Sequence, residues 1–509
     1  MERRRSTAFT YVAERSLGLR NDFQDAVYQE EASHMQAVQR NYIYDGGMRV
    51  WCMELDPVDD RFLLVGTSKS FINLYDLQEL DTKDATLASD STENYDTNHR
   101  LAPCCSVKAQ MIHKDLSLPR SSTSSSAHGL SFGISAVDWY PIDGGIFVSS
   151  SFDGLVKIWD ANTFQVEAEF AFSSKVYCAK FSPISSTHSL IAAVTANREV
   201  RLCDMAADAS IHSLLGHQDE IWSLAWSTSN EFQLCTGSRN GEIRMWDIRR
   251  SGSTACLLCL NHEGQADVPG RSSLHTNVKK LPSTSLVTAS RPSQVAASKR
   301  RRLDQKVKKA RSSSERSDPH LAASVSLARA HSAAVNALSY TPDGRFLLSS
   351  GHDHRLRLWN AKTGEHQFVN YAGIQSTHIS RNTQFAVLQE GEAREGTIVF
   401  HPNGSQGEIT SYKVHSDAGQ PLTRYTAHYR HVTACAYRKS HRELYTGATD
   451  GLIMRWKPTP VDLRLKSQEG SDAEDKHAAC TEQEVDAWSD DDDDEGNSTQ
   501  DVFVPPILR

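Results

Sequence analysis

The segment AVNALSYTPDGRFLLSSGHDHRLRLWN, residues 334–360, decides the fold predicted for this chain. Its first part alternates apolar and polar residues, its second part is an apolar run that ends in small residues, and a tight turn leads into another alternating run. This pattern is typical of three short antiparallel strands. The pattern recurs clearly at residues 134–160, 220–247 and 431–457, and weaker copies end at Asp76 and Asp204.

The spacing of the copies predicts how many repeats the chain contains. Three successive copies end 44 and 43 residues apart, which matches the period of about 40 to 45 residues in WD-repeat blades. Longer gaps indicate two insertions, at residues 78–127 and 261–330, and one poorly marked copy at residues 366–414, with TQFAVLQE and GEITSYKV as its best strands. The total predicts an all-β, seven-bladed WD-repeat β-propeller.

The repeats also suggest where the propeller begins and ends. We expect the propeller at residues 37–460, a partly helical arm at 1–36 and an acidic, disordered tail at 461–509. An alternating stretch at Ala37 to Tyr44 can complete the last blade, and the alternative is Val461 to Leu465. Both insertions are polar and aperiodic, so we expect them to be disordered. We expect each to leave the top face after the outermost strand of a blade.

Three of the clear copies share a polar set beneath the apolar pattern. Each has a histidine before the first strand, a hydroxyl residue in the second, an amide or acid in the turn and a tryptophan in the third. The sets are His217, Thr236, Asn240 and Trp246; His331, Ser349, Asp353 and Trp359; and His428, Thr446, Asp450 and Trp456. In WD-repeat proteins this tetrad is a buried hydrogen-bonded chain. A Ser-His-Asp set also suggests hydrolysis, but its recurrence favours the structural interpretation.

Composition limits the class of protein. The 509 residues carry 55 Lys and Arg against 63 Asp and Glu, a net charge of −8, and no apolar run approaches the roughly 18 to 20 residues of a membrane-spanning helix. The first residues lack the apolar stretch of a secretory signal. We therefore expect an intracellular protein whose ten cysteines form no disulfide framework. The weakly acidic body predicts little direct nucleic-acid binding.

Two charged segments stand apart from this balance. A basic run in the second insertion predicts a nuclear import signal, with a solvated loop as the alternative. Its side chains are Lys299, Arg300, Arg301, Arg302, Lys306, Lys308 and Lys309. Residues 482–495 carry nine acids and no base. We interpret this acidic tail as a solubilising end, with nucleic-acid mimicry as the alternative.

No catalytic motif accompanies the repeats. The sequence contains no Walker phosphate loop, nucleophile elbow or HExxH helix. Cys256 and Cys259 form a Cys-x-x-Cys pair, but no second pair completes a zinc site, and strand alternation is expected to point the two sulfurs in different directions. We therefore expect no enzyme activity, no cofactor and no metal, and interpret the chain as a binding scaffold.

One tetrapeptide and one face are candidates for binding partners. In WDIR, Trp246 to Arg249, we expect Asp247 to cap a turn and Arg249 to project from the bottom face without an intramolecular partner. The alternative is a solvated surface residue. We expect a partner face on the top, beside the tight turns and at the starts of first strands, with ordinary packing as the alternative. Its residues are Phe152, Tyr177, Trp222, Arg239 and His352.

Several segments together resemble a known family. WYPIDGGIFVSSSFDGLVKIWDANTFQ, LDPVDDRFLLVGTSKSFINLYDL, SPISSTHSLIAAVTANREVRLCD, GHQDEIWSLAWS, MWDIRRSG and DAWSDDDDDEG are similar to the Cockayne syndrome group A family. The similarity runs over about residues 11–460 and the acidic tail. The large insertions, the basic run and the final DVFVPPILR depart from the family pattern, so no role for them follows from the resemblance.

The resemblance implies a non-catalytic substrate receptor of a cullin-4 RING ubiquitin ligase in transcription-coupled nucleotide excision repair in the nucleus. WD-x-Arg is typical of receptors that dock the damaged-DNA-binding adaptor of that ligase. Docking would use Asp247, Arg249 and a helical arm within Ser16 to Val38. The apolar arm residues include Leu17, Leu19 and Phe23. The top face would meet a Cockayne syndrome B type ATPase and stalled RNA polymerase II. The alternative is a WD-repeat scaffold of a chromatin or RNA-processing complex without ligase function.

Overall fold

The computed structural model describes most of the repeat region. The described residues are 31, 34–38, 41–44, 47–82, 99–109, 132–250, 252–264, 329–376, 381–389, 396–404, 406–415 and 419–458. The predicted features that lie outside them are Leu17, Leu19 and Phe23 of the arm, the basic run at 299–309, the alternative closing strand at 461–465 and the acidic tail.

The described strands form seven sheets, which we number as blades in chain order. The seven-bladed propeller predicted from the repeats is confirmed. Blades one to four are β3 (Val50–Leu55), β4 (Phe62–Thr67), β5 (Phe71–Asp76) and β7 (Cys105–Lys108); β8 (Ile134–Trp139), β9 (Ile146–Ser151), β10 (Leu155–Asp160) and β11 (Val166–Ala171); β12 (Val176–Phe181), β13 (Leu190–Thr195), β14 (Glu199–Asp204) and β15 (Ala209–Leu215); and β16 (Ile221–Trp226), β17 (Gln233–Ser238), β18 (Ile243–Asp247) and β19 (Cys256–Cys259).

The remaining sheets are blades five to seven. They contain β20 (Val335–Tyr340), β21 (Phe346–Gly351) and β22 (Arg355–Asn360); β23 (Ala386–Leu388), β24 (Ile398–Asn403), β25 (Glu408–Lys413) and β26 (Pro421–Thr426); and β27 (Val432–Arg438), β28 (Glu443–Ala448) and β29 (Leu452–Pro458) with β1 (Met35–Ala37), β2 (Asn41–Tyr44) and β6 (His99–Leu101). A short 3₁₀ helix, Gly252–Ala255, precedes β19, and residues 78–82 are helical.

Apolar packing between neighbouring blades closes the ring. Each strand pattern places apolar side chains on both faces of its sheet, and the buried residues gather where two blades meet. One cluster joins blade seven to blade one through Ala434, Tyr445, Val50 and Met53. Further clusters join each of the other neighbouring pairs.

The last blade is completed from the N-terminal side. In β2, Ile43 pairs antiparallel with Ile453 of β29, which confirms the predicted closing strand. The strand β1 continues along the same edge and pairs Ala37 with Trp456. Within the expected arm region, Ser16 to Val38, the end is corrected, because Met35 lies in a strand and not in a helix, and its side chain is buried in the blade.

The first insertion is shorter than predicted. Within residues 78–127, β6 pairs with β2 in blade seven and β7 forms the outer edge of blade one. The segment between β5 and β7 therefore leaves after the third strand of blade one, which corrects the expected exit point, whereas the segment between β7 and β8 leaves after the outermost strand, as expected. The sequence signal was weak because two strands of three and four residues are embedded in Ser-rich and Asp-rich surroundings.

The poorly marked sixth copy has corrected boundaries. TQFAVLQE and GEITSYKV contain β23 and β25, as predicted, but β26 extends the blade to Thr426, beyond the expected end at residue 414. The expected start belongs to blade five, because His366 bridges Trp359 and the Gln367 N–H donates to the Leu358 carbonyl at 2.9 Å. This irregular segment takes the place of a fourth strand in blade five.

Candidate functional site

The tetrads are buried hydrogen-bonded chains inside the blades. In blade five, the Trp359 indole N–H donates to the Ser349 hydroxyl at 2.8 Å, Ser349 contacts His331 Nε2 at 2.7 Å, and His331 Nδ1 lies 2.9 Å from Asp353. Burial lowers the pKa of His331, which favours the neutral ring. The Ser349 hydroxyl is buried and already paired on both sides, so this Ser-His-Asp set suits structure and not nucleophilic attack.

The other two tetrads follow this plan with one correction. In blade seven, Thr446 links Trp456 and His428 at 2.8 Å each, and Asp450 lies 3.7 Å from His428. In blade four, Thr236 links Trp246 and His217 at 2.7 Å each.

The acid of the blade-four tetrad is not the predicted residue. Glu242 lies 3.3 Å from His217 Nδ1, whereas the Asn240 side chain accepts the Glu242 backbone N–H at 3.1 Å. The repeat pattern predicts Asn240 because it aligns with Asp353, six residues before the tryptophan in each blade. The longer glutamate side chain, two residues later, reaches the imidazole instead.

Arg249 lies on the bottom face, the end of the ring opposite the turns between second and third strands. Its guanidinium donates to both Asp247 oxygens, from Nε at 2.9 Å and from Nη2 at 2.7 Å, and stacks 4.8 Å from the Phe232 ring centroid. The expectation that Arg249 has no intramolecular partner is therefore wrong. The side chain is still 58% exposed, and the ion pair uses two of the five guanidinium N–H donors.

Asp247 belongs to a turn that several blades share. The acid or amide at the end of the third strand accepts the backbone N–H two residues later in five blades. These residues are Asp76, Asp160, Asp204, Asp247 and Asn360. The predicted capping role of Asp247 is confirmed. The residues two places later are Gln78, Asn162, Ala206, Arg249 and Lys362.

The bottom mouth of the central channel carries an apolar rim that the sequence interpretation missed. Pro57, Pro141 and Pro183 line a cavity of about 220 Å³ at the ends of the first strands. The residue after each proline is an exposed aliphatic side chain, namely Val58, Ile142 and Ile184. The repeated Pro-Val or Pro-Ile after the first strand of three consecutive copies was the available signal.

Charged side chains lie inside this bottom cavity. Glu54, Asp138 and Lys180 occupy the fifth position of the first strands of blades one to three and line the cavity. Burial raises the pKa of Glu54, and it raises that of Asp138 to about 7. Burial alone would lower the pKa of Lys180, but Glu54 and Asp138 outweigh it and leave that pKa raised.

The five residues predicted for the top face do come together. Ring centroids of Phe152 and Tyr177 are 5.6 Å apart, those of Tyr177 and Trp222 are 6.1 Å apart, and those of Trp222 and His352 are 5.6 Å apart. Arg239 is the exposed member, and its Nη1 lies 4.0 Å from Glu220. We call this row the aromatic arc. It follows the top mouth across blades two to five.

Two further residues extend the aromatic arc. The Trp51 ring lies 5.5 Å from Phe152, and the Arg381 guanidinium carbon lies 3.6 Å from the centroid of the Trp51 ring. Trp51 is the second residue of β3, as Tyr177 and Trp222 are of β12 and β16. A β-bulge skips this second residue in the ladders of all three blades, which re-aims its side chain. The alignment of second positions was therefore the signal for Trp51.

The segment that carries Arg381 crosses the channel in place of a regular inner strand. The Thr383 N–H donates to the Asn336 carbonyl of blade five at 2.8 Å, and the Gln384 side chain accepts the Met53 N–H of blade one at 2.8 Å. The Asn382 amide lies 3.6 Å from the Cys178 sulfur of blade three. Nothing in the periodicity of residues 381–385 indicated this path.

The Cys-x-x-Cys sulfurs lie closer together than expected. Cys256 and Cys259 are 3.9 Å apart between sulfurs, because the ladder between β18 and β19 contains a bulge. The expectation of opposite directions is wrong. In the described part of the chain, no group of three or more His, Cys, Asp and Glu side chains is placed to hold a metal ion. Among the described helices, none has the length and apolar character needed to cross a membrane.

Comparison with known proteins agrees with this architecture. The family model for the WD domain, G-beta repeat, matches residues 120–160, 209–247, 324–360 and 419–457. Ribosome biogenesis protein WDR12 homologs of Drosophila persimilis and Aedes aegypti are 29% identical over 119 residues, which cover 23% of this chain and 27% of each relative. This short match covers only a part of the ring.

A much longer match decides the family. WD repeat-containing protein ATCSA-1 of Arabidopsis thaliana is 30% identical over 426 residues, which cover 80% of this chain and 84% of that protein. The aligned length requires the whole ring, including its degenerate blades, and not the common repeat alone. The chain therefore belongs to the Cockayne syndrome group A family of WD-repeat proteins.

Proposed function

We propose that this chain is the non-catalytic substrate-recognition subunit of a cullin-4 RING ubiquitin ligase that acts in transcription-coupled nucleotide excision repair in the nucleus. Membership of the Cockayne syndrome group A family supports this function. The single structural observation that carries the proposal is Arg249, an exposed guanidinium in a WD-x-Arg sequence on the bottom face.

The local geometry prepares Arg249 for docking. Asp247 and Phe232 hold the guanidinium in one orientation, so little side-chain freedom remains to be lost on binding. The damaged-DNA-binding adaptor would accept hydrogen bonds from the remaining N–H donors. The exposed aliphatic residues Val58, Ile142 and Ile184 lie on the same face, and exposed apolar groups of this kind favour protein contacts.

Docking on the bottom face leaves the top face for other partners. The aromatic arc and Arg239 would contact the Cockayne syndrome B type ATPase or stalled RNA polymerase II, since aromatic and arginine side chains are frequent interface anchors. The ligase would then transfer ubiquitin to a neighbouring protein. The mechanism is placement of a substrate, and the catalytic chemistry belongs to the other ligase subunits.

A charge reversal with a matched control tests the proposal. Arg249→Glu in the tagged full-length protein should abolish co-purification of the adaptor and cullin-4 from cells, with a nearly unchanged melting temperature. Lys362→Glu reverses a charge at the equivalent turn position of blade five and should retain both. Retention of the adaptor by Arg249→Glu would overturn the proposal. Recovery of chromatin or RNA-processing subunits without cullin-4, before and after ultraviolet damage, would support a scaffold without ligase function.

A further inference from the structure

The aromatic arc contains one carboxylate that belongs to the chain itself. In blade four, the Trp222 indole N–H donates to Glu220 at 3.2 Å, and the Tyr177 hydroxyl donates to the same oxygen at 2.9 Å. Arg239 lies 4.0 Å from that oxygen. An indole N–H, a hydroxyl and a guanidinium therefore surround an acid at this point of the mouth.

Blade one presents the same kind of donors without the acid. Trp51 holds the position of Trp222, but the residue before the strand is Arg49 where blade four has Glu220. Arg381 stacks on the Trp51 ring at 3.6 Å. Among the described residues, no carboxylate lies within ion-pair distance of Arg49 or Arg381.

Two buried donor atoms at the blade-one part of the top mouth lack a hydrogen-bond acceptor among the described residues. Trp51 Nε1 and Arg381 Nη1 are both buried, and neither has a hydrogen-bond partner among the described residues. Burial lowers the pKa of Arg381 to about 10, the Cys52 thiol opposes that shift, and the Arg49 charge adds to it. A buried donor without a partner is costly, and a charged one more so, so an acceptor that carries negative charge would stabilise both groups.

We propose that the top mouth beside Trp51 binds the carboxylate of an aspartate or glutamate side chain from a partner protein. The inference rests on the proposed role of the top face in partner binding and specifies its chemistry. One carboxylate oxygen would accept from Trp51 Nε1 and the other from Arg381, while Arg49 adds attraction from the rim. The Phe152 ring, 5.5 Å from Trp51, gives the site an apolar wall that suits an apolar neighbour of the acid.

A carboxylate fits the observations better than a phosphate. The chain's own example, Glu220 against Trp222, is a carboxylate held by an indole N–H. The blade-one site offers a single indole donor and one stacked guanidinium, which match two oxygens in a plane. A phosphopeptide, with more charge and a third terminal oxygen, is therefore a distinguishable outcome of the test.

The test uses the full-length protein and an array of 12-residue peptides. Each random flanking sequence is printed three times, with glutamate, glutamine or phosphoserine at the centre. The wild-type protein should bind some glutamate peptides about tenfold more tightly than their glutamine counterparts, as the loss of a charge-assisted hydrogen bond implies. Equal binding of the two, a preference for phosphoserine, or no binding of any peptide would overturn the proposal.

Three variants locate the effect. Trp51→Phe keeps a ring and removes Nε1, and it should lower the glutamate preference several-fold. Arg49→Glu, an exposed change that supplies the acid found in blade four, should abolish that preference while the melting temperature is kept. Lys175→Glu is the matched control, because it makes the same charge reversal at the residue before the first strand of blade three, where the Tyr177 hydroxyl already donates to Glu220. It should leave the preference unchanged. An unchanged preference in Trp51→Phe and Arg49→Glu would overturn the site.

The two proposals can fail separately. The three mouth variants should all retain the adaptor, because they lie on the opposite face from Arg249. Conversely, Arg249→Glu should keep the glutamate preference on the array. Loss of the adaptor with intact peptide selection would leave the mouth site standing, and the reverse result would leave the ligase proposal standing.

Discussion

The closing junction at blade seven and the top mouth at blade one use arginine in opposite ways. Arg455 is buried and donates to Glu443 at 2.6 and 2.8 Å and to Asp81 at 2.6 Å. Arg381 is also packed inside the ring, but it meets an aromatic ring and no carboxylate within the described residues. A buried guanidinium therefore stabilises the ring where the chain supplies its acid, and it is suited to binding a partner's acid where the chain supplies none.

The largest expected effect is at the closing junction. Glu443 accepts from Arg455 and Tyr445 and lies 3.7 Å from Arg438. Glu443→Gln removes one of the two acids that the buried Arg455 and Arg438 share, and Asp81 remains. We therefore expect a loss of about 3 kcal/mol in stability, the lower end for a broken buried pair. Thermal unfolding of the full-length protein measures it.

The control for Glu443 is an acid of the same type whose arginine partner is at the surface. Glu408→Gln disrupts the pair of Glu408 with Arg424, in which the arginine is 56% exposed and the two charged groups lie 3.5 Å apart. It should cost less than about 1 kcal/mol. Equal losses of stability in the two variants would contradict the claim that the buried ion pairs of Glu443 stabilise the protein more than the exposed pair of Glu408 does.

The tetrad of blade five gives the next largest effect, because each of its polar side chains has a partner inside the chain. Ser349→Ala removes the hydrogen-bond partner of both Trp359 Nε1 and His331 Nε2 and should cost about 2 kcal/mol or more. In blade two, Ser149 accepts only the Trp159 indole among described contacts, at 2.8 Å. Ser149→Ala should therefore cost less, about 1 kcal/mol. A larger fall in melting temperature for Ser149→Ala than for Ser349→Ala would show that the number of hydrogen-bond partners does not determine the loss of stability.

The features of the fold and of the site that could be predicted are those whose sequence signal recurs from blade to blade. The ring, its seven blades, the closing strand near Ala37 to Tyr44 and the grouping of Phe152 with Tyr177 follow from the repeat and from equivalent positions. Each such prediction compares a residue with its counterparts in other copies. Trp51 could have been found in the same way.

The missed features depend on side-chain reach and on irregular backbone. Glu242 replaces Asn240 in a tetrad because a glutamate two residues along reaches the imidazole. Arg249 folds back on Asp247, although its spacing predicts only exposure. Arg381 arrives on a segment that crosses the channel without strand periodicity. Pairings over large sequence separations, such as Asp81 with Arg455, leave no local pattern.

The stability of the protein is expected to depend on pH through Asp138, which lines the bottom cavity of the channel. The pKa of Asp138 is raised to about 7 by burial, so the folded protein holds this proton more tightly than the unfolded chain. Its contribution to stability is therefore present at acidic pH and is lost as pH rises toward and through 7. Asp138→Asn removes this dependence, and asparagine can still accept the Phe181 N–H that Asp138 accepts at 2.8 Å.

Melting temperatures across pH 5 to 8 test this sign. The melting temperature of Asp138→Asn should rise relative to that of the wild type as pH rises, because only the wild type must ionise a desolvated carboxylate at position 138, next to Glu54. Burial lowers the pKa of His217 and His331 in both proteins, so their loss of stability on acidification cancels in the difference. A difference that is constant across pH would place the titration of Asp138 in the ordinary range.

The smallest expected change in stability is at Arg249, and it decides how the adaptor experiment is interpreted. The Arg249 backbone N–H donates to Asp247 at 3.0 Å, so Arg249→Ala keeps the turn while losing only an exposed side chain. Asp247→Ala removes the acceptor of that turn and should lower the melting temperature more. If Arg249→Ala instead lowered it as much as Asp247→Ala, the guanidinium would be a structural part of blade four. Loss of the adaptor in Arg249→Glu would then report damage to the bottom face, and only variants that keep the blade intact could distinguish docking from folding.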